Sequence, residues 1–351
     1  MNCCINCFTS SYLTNIIQSN KEIGNCDFCD TKSTNVYLAK ELLPFFRNIF
    51  SLYKVDENST SSLWNSINED FEIIEGICLA NSENLFKSIA ESEYDEFSDL
   101  FDNNVSLQSK DLLDIKSSEI HSIWHRFKEE IKFENRFHIS KNNLIDLEQL
   151  KTFFNNEAFI KMIKNGRCFF RCRISSKKGY KNDEMWNPPK VFATSGRANP
   201  KGISYLYLGS SIETTLYETR ASLFDYVSVG EFRLKEDIKI LDLRNPDYDI
   251  VPWSENDSVE LFIIYASFIK TLQEEISLPI RKQDKELDYI PTQYISEYIK
   301  SLGFDGVEYQ SSLDSKGHNL AIFNPDKFEC IDTKVYDIDS IKLEFTEIEK
   351  E

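Results

Sequence analysis

Gly196-Arg197-Ala198-Asn199-Pro200-Lys201-Gly202-Ile203 leads into Tyr205-Leu206-Tyr207-Leu208-Gly209 and then Glu213-Thr214-Thr215-Leu216-Tyr217-Glu218. The three pieces read as a glycine-framed turn, a buried strand and a capped helix. Gly196 and Gly202 allow a positive φ or a close backbone approach. Ser210 or Ser211 is expected to cap the helix, and Ser210 with Glu213 fits a capping box. Each piece delivers one polar side chain: Arg197, Tyr207 and Glu218. Thr214 precedes Glu218 by four residues, so the two share a helix face. An arginine, an aromatic ring and a carboxylate that converge suit a ligand with phosphates, a flat ring and a developing positive charge.

Upstream, Phe169-Phe170-Arg171-Cys172-Arg173-Ile174 reads as a strand. Arg171 and Arg173 at i, i+2 fall on one face, which calls for an anion or several acids. Downstream, Phe304-Asp305-Gly306-Val307-Glu308-Tyr309-Gln310-Ser311-Ser312 ends a strand in two serines, just before Gly317-His318-Asn319. Further strands are expected at Tyr226–Leu234, Ile238–Leu243, Leu320–Phe323 and Phe328–Ile331, with the one before Gly209 starting at Ile203. Helices are expected from Ser211 to about Ala221, Ser258 to Glu275 and Thr292 to Leu302, with Gly303 as the C′ residue. The pattern is α+β. No Gly-x-Gly-x-x-Gly follows a strand, which excludes a doubly wound nucleotide fold.

Charge marks the same region. The 351-residue chain carries a net charge of −18, which argues against general nucleic-acid binding and against an anionic membrane surface. Yet Lys161 to Ile212 holds eleven Lys or Arg against two acids, Asp183 and Glu184, a local +9 against −27 for the rest. Such an inversion points to an anion site. A composition of 41% hydrophobic and 13% aromatic residues is that of a globular protein with two domains and a small third module.

The first 160 residues differ in texture. Residues 36–160 read as a helical domain: Leu43–Lys54 with Pro44 in its first turn, a helix capped by Ser61 or Ser62, Ser118–Glu134, and Leu144–Ile163. Residues 1–35 form a cysteine module. Cys4-x2-Cys7 and Cys26-x2-Cys29 can close a tetrahedral structural zinc site, with Cys3 a lesser substitute for Cys4. No stretch approaches the roughly 20 apolar residues of a membrane helix. Nor is a signal peptide expected, so the cysteines should be reduced in a cytoplasm. His121 and His125 share a helix face but lack the glutamate of a zinc protease motif, and His138 reads as structural. His318 lies beside the candidate site.

Taken together, Phe-Phe-Arg, Gly-Arg-Ala-Asn-Pro-x-Gly-Ile, Tyr-Leu-Gly, Glu-Thr-Thr-Leu-Tyr-Glu and Gly-Val-x-Tyr-Gln-Ser resemble the RES family, over roughly residues 165 to 335. The resemblance implies an ADP-ribosyltransferase-like mixed α/β domain with a split antiparallel sheet, placed at 161–340. It also implies an enzyme that cleaves the nicotinamide–ribose bond of NAD, as a phosphorylase using inorganic phosphate or as a glycohydrolase. A bacterial toxin or anti-phage defence effector, restrained by an antitoxin or regulatory partner, is the expected setting. By motif, Arg171 resembles the family's first arginine, Arg197 its second, Tyr207 its tyrosine, Glu218 its glutamate and Ser311 its serine. Arg173 competes with Arg171, and Ser312 with Ser311. Glu218, Arg171, Ser311 and Tyr207 are the expected catalytic residues, and Arg197, Arg173, Tyr207 and Asn319 the expected NAD contacts. The N-terminal half resembles a helical HEPN-type domain behind a zinc knuckle, without the Arg-x4-6-His ribonuclease motif, and a homo-oligomer is compatible with it. ADP-ribosyl transfer to a macromolecule, and a nucleotide sensor without turnover, are the alternatives.

Overall fold

The quoted turn, strand and helix sit at the centre of an eight-stranded mixed sheet. A computed structural model describes residues 1–77, 79–244, 249–254, 259–278 and 286–341. The chain divides into two compact units. One gathers Met1–Arg126, Lys141–Ala158 and Pro246–Lys270; the other gathers Phe127–Ser140, Phe159–Asn245 and Thr271–Glu351. The first unit thus recruits a segment from deep in the C-terminal half.

In the first unit, β1 (Asn2–Cys4), β2 (Ile23–Gly24) and β3 (Thr34–Leu38) form a small antiparallel sheet in the order β1-β3-β2, with α1 (Ser11–Ser19) between β1 and β2 in the chain. The helices α2 (Leu43–Phe50), α3 (Leu63–Phe71), α4 (Leu79–Ile89), α5 (Tyr94–Asp102), α6 (Lys110–Glu129) and α7 (Leu147–Phe154) follow. Phe46, Phe50 and Phe86 are fully buried and meet edge-on or tilted, the arrangement that aromatic quadrupoles favour. Two expected helices are shorter than their apolar stripes. The first ends at Phe50, because Tyr53–Val55 (β4) pairs with Val105–Leu107 (β5). The stretch from Leu144 breaks after Phe154, and Ile160–Ile163 becomes an edge strand (β6) of the large sheet in the other unit. Apolar spacing alone does not separate a helix from a helix followed by a strand.

The second unit is built on β6, β7 (Cys168–Ser175), β8 (Leu206–Gly209), β9 (Tyr226–Leu234), β10 (Ile238–Leu243), β11 (Gly306–Gln310), β12 (His318–Ile322) and β13 (Phe328–Asp337). Their order is β13-β9-β7-β8-β12-β11-β10-β6. Only β10 and β11 pair in parallel; the other neighbours are antiparallel. The sheet is split: β7 and β8 share a single pair, Phe170 with Gly209, whereas β7 and β9 share eight. Helix α8 (Ile212–Thr219) follows β8 directly and α11 (Ile290–Ser301) comes later, whereas α9 (Val251–Ser254) and α10 (Val259–Ser277) as far as Lys270 belong to the first unit. Ser258, the expected start of α10, lies outside the described residues.

Strand alternation then sorts the side chains. Leu206, Leu208, Leu320, Ile322 and Ile240 pack with Phe232 and Phe328 into one core. Tyr207, Asn319 and Tyr309, at the alternate positions, therefore point to the other face. Glu308 is buried on the core side, where a carboxylate is costly unless paired. Lys161 Nζ lies 2.7 Å from it, His318 Nε2 2.8 Å and Arg244 Nε 3.4 Å. Leu320 has no solvent exposure and sits mid-sheet. Leu320→Ala should lower unfolding free energy by about 2–5 kcal/mol, read as a fall in the urea midpoint at constant slope.

Candidate active site

One cavity of about 430 Å³ opens on the face carrying Tyr207, Tyr309 and Asn319. Arg171, Arg197, Glu218, Arg220 and Tyr289 also line it. Its size lies in the range of small-molecule sites.

The turn that delivers Arg197 is organised by Asn199. Its side-chain Nδ2 donates to the carbonyls of Thr194 (2.9 Å) and Ile203 (2.8 Å), while Oδ1 accepts from the Tyr207 hydroxyl at 2.7 Å. That hydroxyl also accepts from Ala198 N at 3.2 Å. Gly196 is required by this crowding: a Cβ there would lie 2.5 Å from Asn199 Oδ1 and 2.8 Å from the Tyr207 oxygen. Gly202 closes the turn with a φ of +90°, a conformation that glycine adopts freely. From the start of α11, Thr292 donates to the Arg197 carbonyl (2.7 Å) and Gln293 to the Gly196 carbonyl (2.7 Å).

Glu218 is reached from three directions. Ser311 Oγ donates to its Oε1 at 2.8 Å, Asn319 Nδ2 donates to the same oxygen at 2.7 Å, and Arg197 Nη2 lies 3.4 Å from Oε2. Its side chain keeps 22% exposure. The helix carrying it is capped by Ser211, whose Oγ accepts from Thr214 N. The expected Ser210–Glu213 box does not form. Ser210 belongs to the strand side, bonding His318 through both its backbone N–H and its hydroxyl.

Arg171 and Arg173 part company. The divergence of β7 from β8 beyond their one pair leaves a gap, and the Arg171 guanidinium occupies it, donating from Nη1 to the Tyr207 carbonyl at 3.1 Å. Its Nε is buried without a partner, and among the described residues no carboxylate pairs with it. Burial, and then the neighbouring Arg173 charge, pushes its pKa down to about 10, so it remains a cation at neutral pH. Arg173 instead donates to the Glu184 carbonyl and lies over the Tyr180 ring at 4.6 Å, off the cavity lining. Of the two serines, Ser311 is buried on Glu218 and Ser312 is exposed. His318 faces Glu308 rather than the cavity.

Residues 169–345 match the RES domain. The chain belongs to the RES domain family. Proteins with this domain act on NAD. Among curated proteins none matches the chain. The chain is similar to one in the crystal structure of the M. tuberculosis MbcT–MbcA toxin–antitoxin complex, at 13% identity and a TM-score of 0.33 over 54% of this chain and 91% of that one.

Three cavity residues of this RES domain were not picked out from the sequence. Tyr309 is buried beneath the Arg197 guanidinium at 5.9 Å. Its position one residue before Gln310-Ser311 is a strand position like any other, and only pairing with Asn319 shows which face it takes. Tyr289 comes from a turn before α11. Arg220 is the helix C-cap in a left-handed conformation, φ 52°, where glycine is the usual signal.

The cysteine module sits in the other unit. Sγ atoms of Cys4, Cys7, Cys26 and Cys29 all lie within 4.8 Å of one another, with 3.9 Å between Cys4 and Cys7 and 3.4 Å for Cys4–Cys29 and Cys7–Cys26. A tetrahedron with Zn–S bonds of about 2.3 Å needs edges of about 3.8 Å. Backbone N–H groups of Phe28 and Cys29 also aim at Cys26 Sγ at 3.4 Å, as second-sphere donors to a thiolate do. The four thiols fit zinc. Cys3 is turned away toward the Tyr37 carbonyl. Neither His121 nor His125 belongs to a metal-holding group among the described residues; His121 Nε2 meets Ser267 Oγ.

Asn199 is buried, so removing its partner leaves an unsatisfied oxygen. Tyr207→Phe should cost about 1–3 kcal/mol by chemical denaturation, whereas Ser312→Ala should be neutral.

Proposed function

We propose that this protein cleaves the nicotinamide–ribose bond of NAD. The observation that carries the reading is a part-exposed carboxylate, Glu218, fixed by three donors at the wall of a cavity that also holds the Arg171 guanidinium, whose Nε is buried and which has no carboxylate partner among the described residues. Nicotinamide leaves NAD as a neutral pyridine, its ring nitrogen taking the bond pair, and positive charge develops on the ribose. A preorganised carboxylate stabilises that charge. With water as acceptor the balance is NAD⁺ plus water giving ADP-ribose, nicotinamide and a proton. Arg171, deep in the gap, and Arg220, at the rim, supply charge-assisted hydrogen bonds for the phosphates. Arg197, also on the cavity lining, pairs with Glu218, and its Nη1 donates to the Ser277 carbonyl at 2.9 Å. Tyr309 and Tyr207 offer ring surfaces for the nicotinamide or ribose. The restraint expected of such an enzyme, an antitoxin or a regulatory role for the HEPN-like half, is supported by the sequence resemblance.

Purified protein incubated with NAD, with and without inorganic phosphate, should release nicotinamide. Free ADP-ribose in both arms identifies water as acceptor, ADP-ribose-1-phosphate only with phosphate identifies a phosphorylase, and label on a macromolecule identifies a transferase. Glu218→Gln should keep the melting temperature and ADP-ribose binding while losing about 10²–10³-fold in kcat; wild-type turnover by this variant would sink the mechanism.

We also propose that Cys4, Cys7, Cys26 and Cys29 hold one structural zinc. Metal analysis should find one zinc per chain, lost in Cys26→Ser. Chelation should raise amide exchange over residues 1–38, because so short a segment depends on its metal for folding. An unchanged exchange pattern after complete chelation would contradict a structural role.

A further inference from the structure

The loop between β11 and β12, Ser311 to Gly317, meets α8 at two points one helical turn apart. The first is the Ser311–Glu218 bond. The second lies deeper: Thr214, with no solvent exposure, donates from Oγ1 to Asp314 Oδ2 at 2.8 Å. Ser211 Oγ sits 2.8 Å from the same Thr214 hydroxyl and accepts from Thr214 N at 3.0 Å. Because the Thr214 proton goes to Asp314, Ser211 must donate to Thr214. A directed chain therefore runs from the helix cap through Thr214 to the loop carboxylate.

The loop is tied to itself through the same residues. Ser311 Oγ accepts from Leu313 N (3.3 Å) and Asp314 N (3.2 Å), while Gly317 N donates to the Asp314 carbonyl (3.0 Å) and Ser311 N to the Gly317 carbonyl (3.0 Å). A Cβ on Gly317 would lie 2.1 Å from Thr214 Oγ1 and 2.2 Å from Asp314 Oδ2, so backbone and clasp are in contact. Moving Asp314 moves Ser311, and Ser311 donates to Glu218.

We propose, resting on the NAD-cleavage reading above, that Thr214 and Asp314 are positioning residues that fix the Glu218 carboxylate by clasping this loop to α8. Neither lines the cavity, so they act on turnover through Ser311 and not on substrate affinity. Displacing a catalytic group by about 1 Å costs on the order of 10²-fold in rate.

The test compares Thr214→Val, Thr214→Ser and Asp314→Asn in the full chain. Thr214→Val removes the donor at nearly constant volume and should lower kcat for NAD roughly 10- to 100-fold with KM within about twofold. Thr214→Ser keeps the donor and should restore kcat. Asp314→Asn keeps an acceptor and should fall between them, and it replaces Thr214→Val if that variant does not fold. Amide exchange over residues 312–317 should quicken in Thr214→Val and not in Thr214→Ser. Wild-type kcat in a folded Thr214→Val, or a KM effect alone, overturns the proposal. Absence of NAD turnover in the wild type overturns the functional reading instead, and the exchange comparison then decides the clasp: unchanged protection in Thr214→Val rejects it.

Discussion

Everything at the candidate site follows from the poor joint between β7 and β8. Two neighbouring strands that pair at one position only, Phe170 with Gly209, leave backbone groups and space that a continuous sheet would have consumed. The Arg171 guanidinium takes one of the freed carbonyls, that of Tyr207, and in doing so brings a cation with a buried Nε to the wall of the cavity. The same joint ends β8 at Gly209 and sends the chain into α8. A Cβ at Gly209 would lie 2.6 Å from the Thr215 methyl, so helix and strand are as close as a glycine permits. Glu218 thereby arrives beside the gap without any long loop to position it.

The cations around this sheet are not equivalent, and their partners distinguish them. On the core face, Lys161 and Arg244 surround Glu308, with the His318 ring also against it, and Arg244 is paired with Asp242 as well, so that cluster is closed on itself. Arg233 is paired with Glu329 on the surface, a contact of little energetic weight. Arg197 has Glu218. Arg171 has a carbonyl, a second arginine nearby and, among the described residues, no acid, which is an unfavourable place for a charge unless an anion joins it. Within the positive stretch itself, Lys161 and Lys164 are paired with acids and Arg167, Lys177, Lys178, Lys181, Lys190 and Lys201 are exposed, which sets Arg171 apart from them.

How much of this was legible depended on where the determining contact lay. The glycine-framed turn, the short strand and the capped helix are local and all three form, although the strand begins at Leu206 rather than Ile203 and the helix is capped by Ser211 without the Ser210–Glu213 box. Gly303, expected as a C′ residue, has a φ of +87°. Ser311 and Asn319 were found because short motifs flank them, although nothing local says that both bond one carboxylate oxygen. The choice between Arg171 and Arg173 was not legible: alternation puts both on the face of Phe169, and only the divergence of two strands distant in sequence separates them. Tyr289 was illegible for the same reason, since its place depends on α11 packing onto the Gly196 turn through Gln293 and Thr292. The expected helix through Ile163 failed because β10, about 75 residues on, offers Ile160–Ile163 a strand partner, a tertiary choice that periodicity does not encode.

The pairing of Arg197 with Glu218 raises a question for the proposed chemistry, since a neutralised carboxylate would do little for a ribosyl cation. The geometry answers it. Oε1 takes two short bonds from neutral donors, which orient the group without cancelling its charge, whereas Arg197 approaches Oε2 only to 3.4 Å, longer than a strong charge-assisted bond of about 2.7–2.9 Å. Arg197 has other anchors in the Ser277 carbonyl and the Tyr309 ring, so it need not follow the carboxylate. As positive charge grows on the ribose, Glu218 can strengthen its interaction with the sugar while Arg197 stays in place. An interaction that is weak in the resting site and replaced at the transition state costs little reorganisation, which is the condition for electrostatic catalysis.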